Sequence, residues 1–244
     1  MLFRSPDGYT LLIGNAGPIT VNPTLFKKLP YDPQRDLTPI SMVNSSRMVL
    51  SVHPSLPAKN VKELMALARA NPGKLNYGSS GVGNLQHLGM ELLRLQAGVT
   101  LNHVPYKGAA PAFVDLIAGQ VDLTFANIVG TMPHVRSGRV RAMAVSTATR
   151  SPLLPGVPAV AETYKGFDIP TWSGMFAPAG TARDILAKLN TDFNKVLARA
   201  DVKERFAHQG SEATPSTPEA LSEHVRKETA MYAEVIKAAR VSTD

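Results

Sequence analysis

The 244-residue sequence contains no cysteine. A disulfide scaffold, a thiol nucleophile and a zinc–thiolate site are thereby excluded. Absence of cysteine suits an oxidising compartment without requiring one. Aromatic residues are scarce at 6%, with a single tryptophan, Trp172. The net charge is +7, yet its densest places, Lys27-Lys28 and Arg139-Val140-Arg141, form no stripe. Scattered basic residues and few stacking rings argue against a nucleic-acid partner. No run approaches the roughly 18 apolar residues of a membrane span. Residues 1–10 are short and polar rather than a secretory signal, which taken alone points to the cytoplasm. Internal repeats and low-complexity tracts are also lacking.

Hydrophobic residues make up 44% of the chain, enough for a packed core. The length suits two lobes with separate cores. The 19 prolines and 18 glycines fall between periodic segments, the pattern of many short elements joined by tight turns. The run YTLLIG at residues 9–14 reads as a buried strand, and residues 40–43 and 48–53 read as two more. Val61, Leu64, Met65 and Ala68 share a helical face that Asn71-Pro72-Gly73 ends. Residues 75–78 form a short strand, followed by a glycine-rich turn and a helix with Leu85, Leu88, Leu92 and Leu95 on one side. The segment HVPYKGAAPAFVDLIAGQVDLTFAN reads as strand, helix, strand. Its helix is expected to bury Ala109, Ala112, Phe113, Leu116 and Ile117, a connection that suits a parallel crossover. Residues 140–146 add a strand, 169–177 an extended segment holding Trp172. Thr181 is expected to cap a helix burying Ile185, Leu186, Leu189, Phe193 and Val196. Asp201 and Pro218 start the last two helices. Alternation of strands and helices predicts an α/β protein with mostly parallel sheet.

The leading site candidate is Tyr77-Gly78-Ser79-Ser80-Gly81-Val82-Gly83-Asn84, placed between a strand and a helix. Its glycines let backbone approach a ligand, and the helix start offers free N–H groups and a positive dipole end, which suits an anion. Ser79, Ser80 and Asn84 add donors; the alternative is a plain turn with a helix cap. The loop lacks the lysine of a phosphate-binding Walker motif. Gln86 stands where the third glycine of a dinucleotide fingerprint belongs, and a nucleophile elbow fails as well. A small anion such as a carboxylate is what remains. Asn127 ends a strand before the next helix, and Asn15, Ala16 and Gly17 hold the same position after residues 9–14. Ligands gather at such strand ends in open α/β sheets, although both could be turn residues. His87 and Glu91, one helical turn apart, are read as a surface pair, since no third metal ligand is evident. Asp115 and Asp122 read as solvated or capping residues, Lys107 as a cation near a carboxylate or on the surface, and Trp172 as a pocket wall or a seal between lobes.

With these words in view, the sequence resembles the extracytoplasmic solute receptors of tripartite tricarboxylate transporters, the Bug-type receptors. The matching words are PDGYTLLIG, VNPTLFKKLPYDPQRDLTPIS, ANPGKLNYGSSGVG, HVPYKGAAPAFVDLIAGQVDL, MPHVRSGRVRAMAVSTATRSPLLPGVPAVAE and FAPAGT, running in family order from Pro6 nearly to the C-terminus. The resemblance implies a type II periplasmic binding protein fold, two α/β lobes joined by crossing strands. Residues 1–51 and 172–244 would form the first lobe and 52–171 the second. It implies periplasmic localisation, a small carboxylate ligand (a di- or tricarboxylate, an acidic amino acid or an aromatic acid) and membrane transporter subunits as partners, with a monomeric receptor. Carried over by position, the second-lobe loop is Ser79, Ser80, Gly81 and Gly83, the strand-end site is Asn127, and residues 15–17 belong to the first lobe. Residues 1–5 match nothing in the family, whose signal peptide, first strand, loop, helix and second strand have no counterpart here. The expectation is a first lobe that is incomplete, with an open strand edge and apolar patch beside residues 9–14 and weakened carboxylate binding.

A binding module without chemistry is thus the expected function, with no cofactor and no metal. The alternative is an α/β enzyme acting on an acidic metabolite. That reading would need a nucleophile and base, or a metal set, in one cleft, and the sequence offers none. A ligand-sensing domain of a transcription regulator would need a DNA-binding segment, which neither end supplies.

Overall fold

The computed structural model describes residues 5–243; most of the segment 1–5 that the sequence reading set apart lies outside them. In chain order the elements are β1 (Leu12–Asn15), a π-helical turn (Gly17–Val21), α1 (Asn22–Leu25), α2 (Pro33–Asp36), β2 (Leu37–Ser46), β3 (Met48–Val52), α3 (Val61–Ala70), β4 (Asn76–Ser79), α4 (Leu85–Ala97), β5 (Asn102–Pro105), α5 (Ala109–Ile117), β6 (Leu123–Asn127), α6 (Ile128–Arg136), β7 (Arg141–Val145), a 3-10 turn (Val160–Glu162), β8 (Thr171–Pro178), α7 (Arg183–Leu197), α8 (Ala200–His208), β9 (Ser211–Ala213) and α9 (Pro218–Ala239). They form two compact units. The first holds the residues up to Ser46 together with Thr171–Ile236, the second Arg47–Pro170 with the residues from Lys237 onward.

These limits differ from those read in the sequence. Residues 48–51 fall in the first lobe on the sequence reading, but β3 pairs with β6 on one side and β7 on the other, so the whole strand belongs to the second unit. The last residues of α9 also count with the second unit. The expectation of mostly parallel sheet needs correction too. The first sheet, ordered β1-β8-β2-β9, is antiparallel at every described pairing. The second, ordered β5-β4-β6-β3-β7, is parallel only across β5-β4-β6. The cause is the same in both. β8 and β3 are the strands with which the chain enters each unit, and each inserts between two strands running the other way. Local apolar periodicity carries no record of such an insertion, because strand direction is set by the chain's return path.

In the first unit, α7 and α8 cover one face of the sheet. Ile40, Val43, Met175, Ala177 and Leu197 are buried there, with Leu186, Leu189, Phe193 and Phe206 packed against them. Trp172 is buried on β8 and donates its indole N–H to Glu228 Oε2 of α9 at 2.7 Å. The Thr20 hydroxyl donates to the same oxygen at 2.8 Å. Trp172 therefore serves as a buried anchor for α9. Thr181 does not cap α7 as expected: its hydroxyl donates to the Pro178 carbonyl at 2.8 Å, and the helix opens two residues later without a side-chain cap. β1 is an edge strand that starts at Leu12, later than the apolar run suggested. Tyr9 (93% exposed) is held in a turn by its amide bond to Asp7 Oδ1, and Ile13 is 62% exposed.

In the second unit, α5 packs on the sheet through Leu116, with Val121, Val140, Val104, Tyr106 and Phe113 around it. α6 and the 3-10 turn close a second cluster of Val49, Ile128, Val145 and Ala159. α3 begins where Asn60 Oδ1 accepts the Glu63 amide at 2.9 Å, while Glu63 Oε2 accepts the Lys59 amide at 2.8 Å. Reciprocal bonds of this kind satisfy donors that a helix start leaves free. Gly98 ends α4 in the left-handed region with φ of 61°, where a side chain would be strained. Ala109, expected on the buried face of α5, is exposed, while Ala112 and Leu116 are buried.

Gly14 on β1 faces Gly174 on β8. A Cβ on Gly14 would lie 2.8 Å from Ile19 Cγ1 and 3.1 Å from Phe176 Cε2; one on Gly174 would lie 3.1 Å from Leu221 Cδ2. The bare backbone pair makes room for three large side chains. We expect Gly14→Val to lower stability by about 1–3 kcal/mol through overpacking. The check is a urea unfolding curve, in which the midpoint should fall at unchanged slope and recover in part when Ile19→Ala is added.

Candidate functional site

Three strands of the second unit, β5, β4 and β6, run parallel, and each leads at its carboxyl end into a helix, directly after β6 and through a turn after β4 and β5. β4 leads to α4, β5 to α5 and β6 to α6, so three helix starts lie along one sheet edge. Register places them together: Gly78 faces Thr124 and Ser79 faces Pro105. The Tyr106 amide donates to the Ser79 carbonyl at 3.0 Å, tying the β5–α5 turn to the loop after β4. Helix starts present unpaired N–H groups and a positive dipole end, and their convergence makes a place for an anion.

The loop at residues 79–84 proves more self-contained than the sequence implied. The sequence reading expects its amides to be free of protein partners. Instead the Ser80 amide donates to Gln86 Oε1 (2.7 Å), Gly81 to Ser79 Oγ (3.2 Å) and Gly83 to His87 Nδ1 (3.0 Å). Ser79 is fully buried, and its hydroxyl reaches the Gly81 carbonyl (3.0 Å) and His103 Nε2 (2.6 Å). Asn84 caps α4: its Oδ1 accepts the His87 amide at 3.0 Å and its Nδ2 donates to the Gly81 carbonyl at 2.6 Å. Gly81 (φ 138°) and Gly83 (φ 77°) occupy backbone that other residues avoid, which is why the loop can fold on itself. Ser79 and Asn84 therefore hold the loop's shape. The half-buried Ser80 bonds through its amide to Gln86, and its hydroxyl has no protein partner among the described residues.

Asn127 is exposed at the end of β6, and its Oδ1 accepts the Val129 amide at 3.0 Å as the cap of α6. The start of α5 is different. Gly108 stands at the cap position with φ of 127° and offers no side chain, so nothing caps the helix, and Ala109 and Ala110 are exposed. Sequence reading passes over these residues because alanines look like core. The signal lies in Gly108 directly after a strand, with no Ser, Thr, Asp or Asn in place to cap the helix. Lys107, beside it, is exposed. Asn15, Ala16 and Gly17 belong to the first unit, where Asn15 is exposed at the end of β1 and Ala16 is buried, its carbonyl accepting the Thr20 hydroxyl at 2.7 Å.

Beneath the loop lies a buried polar ladder. His87 and Glu91 are not a surface pair: they are 5% and 6% exposed. The rings of His87 and His103 stack at 3.8 Å and 8°, and Tyr77 stacks on His103 at 4.8 Å. The Tyr77 hydroxyl donates to Glu91 Oε1 at 2.6 Å, and Arg94 Nη2 donates to Glu91 Oε2 at 2.6 Å. The pair could not be recognised from spacing because its partners Tyr77 and His103 come from other strands. Asp115 accepts the Tyr106 hydroxyl at 2.7 Å, and Asp122 accepts the Asn76 amide at 2.7 Å, so both carboxylates brace the sheet edge. Burial, reinforced by Glu91, pushes the Tyr77 hydroxyl well above its usual range.

Burial also lowers the pKa of both histidines. His103 falls to about 4, first through desolvation and then through the neighbouring His87. His87 is lowered by desolvation and by Arg94, against the pull of Glu91. The unfolded chain takes up these protons near pH 6.5, and the folded chain does not. Their contribution to stability is therefore full above pH 6.5 and is lost as the pH falls toward about 4. We expect the melting temperature to decline across that window, and His103→Phe to decline less steeply; melting curves followed by circular dichroism provide the check.

Comparison with known proteins bears on the family and the fold. The family model described as "Tripartite tricarboxylate transporter family receptor" (TctC) matches residues 1–241, so residues 1–5, read from the sequence as matching nothing in the family, fall inside the match. Protein BugT of Bordetella pertussis is 36% identical over 233 residues, covering 95% of this chain and 72% of that protein. A Pseudomonas protein described as "UPF0065 protein in tcbD-tcbE intergenic region" is 36% identical over 240 residues, covering 98% and 71%. Among solved structures, that of the R. palustris protein Rpa4515 with adipate has a TM-score of 0.84 at 35% identity, covering 99% of this chain and 81% of that one. MatC from Rhodopseudomonas palustris with bound malate has a TM-score of 0.77 at 31% identity, covering 96% and 81%. A match along nearly the whole sequence, with the same fold, has one consequence: this chain belongs to the tripartite tricarboxylate transporter receptor family.

Proposed function

We propose that the chain is a periplasmic receptor for a small dicarboxylate, which it delivers to a tripartite tricarboxylate transporter, and that it does no chemistry on its ligand. The observation that carries the reading is the uncapped start of α5 beside the loop at residues 79–84. There a carboxylate would accept the free amides of Ala109 and Ala110 and the Ser80 hydroxyl, with the Lys107 charge nearby. Asn127, at the next strand end, is the further proposed contact. Hydrogen bonds to a charged group contribute roughly 1.5–3 kcal/mol each, and the helix dipole adds to them. Two relatives of this fold were solved with adipate and with malate, both small dicarboxylates, which supports the ligand class.

Proline is tolerated at the first position of a helix, where it removes an N–H that has no helical partner. Ala109→Pro thus deletes a proposed ligand donor while sparing α5. We expect calorimetric titration with adipate, malate and succinate to show binding by at least one of them, and none by the uncharged diamide adipamide. Ala109→Pro should weaken binding by about tenfold or more at an unchanged melting temperature of the free protein, and Ser80→Ala should weaken it several-fold. Binding of no carboxylate would sink the proposal. Equal affinity in Ala109→Pro would move the site away from α5.

A further inference from the structure

In the ladder beneath the loop the Tyr77 and His87 rings are buried, and the half-buried His103 ring is engaged by Ser79 and His87, so its side chains are spent on one another. One of its bonds nevertheless constrains its chemistry. The Gly83 amide can only donate, so His87 Nδ1 must accept, and the imidazole must be neutral with its proton on Nε2. A second proton would turn Nδ1 into a donor aimed at another donor. It would also place a cation face to face with His103 at 3.8 Å. Ser80 and Gly83 are thus held by two consecutive residues of α4, Gln86 and His87.

We propose that His87 is a positioning residue for the loop at residues 79–84: its neutral imidazole, braced by the ring of His103, holds Gly83 and so sets the shape in which Ser80 is presented. The groups facing the ring are Tyr77 from β4, His103 from β5, and Glu91 and Arg94 from its own helix, with Ser79 of β4 reaching the far ring of His103. Glu91 is already shared between the Tyr77 hydroxyl and Arg94, so it does not lie free to neutralise an added proton. The desolvation that keeps both imidazoles neutral at ordinary pH works in the same direction. Acid then loosens the loop by removing one acceptor, ahead of any general unfolding. The consequence for ligand binding rests on the proposed carboxylate receptor function, whereas the consequence for the loop does not.

The test has a loop arm and a ligand arm. In the unmodified protein, nitrogen NMR at neutral pH should report the Nε2–H tautomer of His87. Exchange protection of the Gly83 amide should fall by about tenfold or more as the pH drops below 6.5, after correction for intrinsic rates, while the Phe125 amide of β6 stays protected. His87→Asn keeps an acceptor near the Nδ1 position and cannot take a proton. It should keep Gly83 protected and abolish the acid loss, whereas His87→Leu should lose the protection at every pH. For binding, adipate, malate and succinate are the probes. Affinity should fall about tenfold in His87→Leu, and in His87→Asn it should stay within a few-fold and become flat with pH. An Nδ1–H tautomer, or Gly83 protection that tracks Phe125 at every pH, would overturn the proposal. If the unmodified protein binds no dicarboxylate, the receptor reading fails while the exchange and tautomer results still decide the role of His87.

Discussion

Buried backbone N–H and C=O groups must find partners, and that requirement fixes the strand by which the chain enters each sheet. β8 is paired along both edges, to β1 and to β2, and β3 is paired to β6 and to β7. Each is a central strand whose loss would leave two neighbours open. An unpaired buried backbone group costs as much as a lost hydrogen bond, so neither segment has an alternative place. The side chains are placed by the same pairing. Trp172 on β8 is fixed where its indole reaches Glu228, and Gly174 is fixed opposite Gly14 where large side chains need the room.

In the second unit the same logic orients the candidate site. Because β4, β5 and β6 run parallel, the helices after them all begin at one edge. Two of the three starts are sealed by asparagine caps, Asn84 on α4 and Asn127 on α6. A cap consumes the donors that an anion would otherwise meet. The start of α5, with glycine at its cap, is left open. Under the proposed function, the place along the edge where a ligand binds is chosen by which helix lacks a cap, and the glycine-rich loop beside it is a wall of set shape.

The polar ladder shows how such a wall is made rigid. Arg94, Glu91, Tyr77, His103 and His87 join one helix and two strands through an ion pair, a hydrogen bond and two ring stacks. Partner removal is costly for buried charges, since the remaining charge loses both water and its counterion. Glu91 and Arg94 therefore hold each other in place, and Tyr77 inherits a fixed hydroxyl position. The imidazoles complete the series without carrying charge, which keeps a buried stack of two titratable rings compatible with folding.

By itself the sequence determined the α/β class, most of the element types and the family. Those depend on local patterns: apolar periodicity in α3 and α4, glycine and proline at the turns, and long words such as NYGSSGVG and HVPYKGAAPAF. Tertiary structure alone decided strand direction, since insertion of β3 and β8 depends on where the chain returns from. It also decided which polar groups are spent. Ser79 and Asn84 read as ligand donors because serine and asparagine carry the right atoms, but the structure pairs Ser79 with Gly81 and with His103 on a separate strand, and Asn84 with Gly81 and His87. Ala109 read as core because alanine is small and apolar, yet it is exposed at the first position of a helix with no side-chain cap. A side chain's identity is written in the sequence; whether its hydrogen bonds are free is a property of its neighbours, and these come together only when distant segments pack.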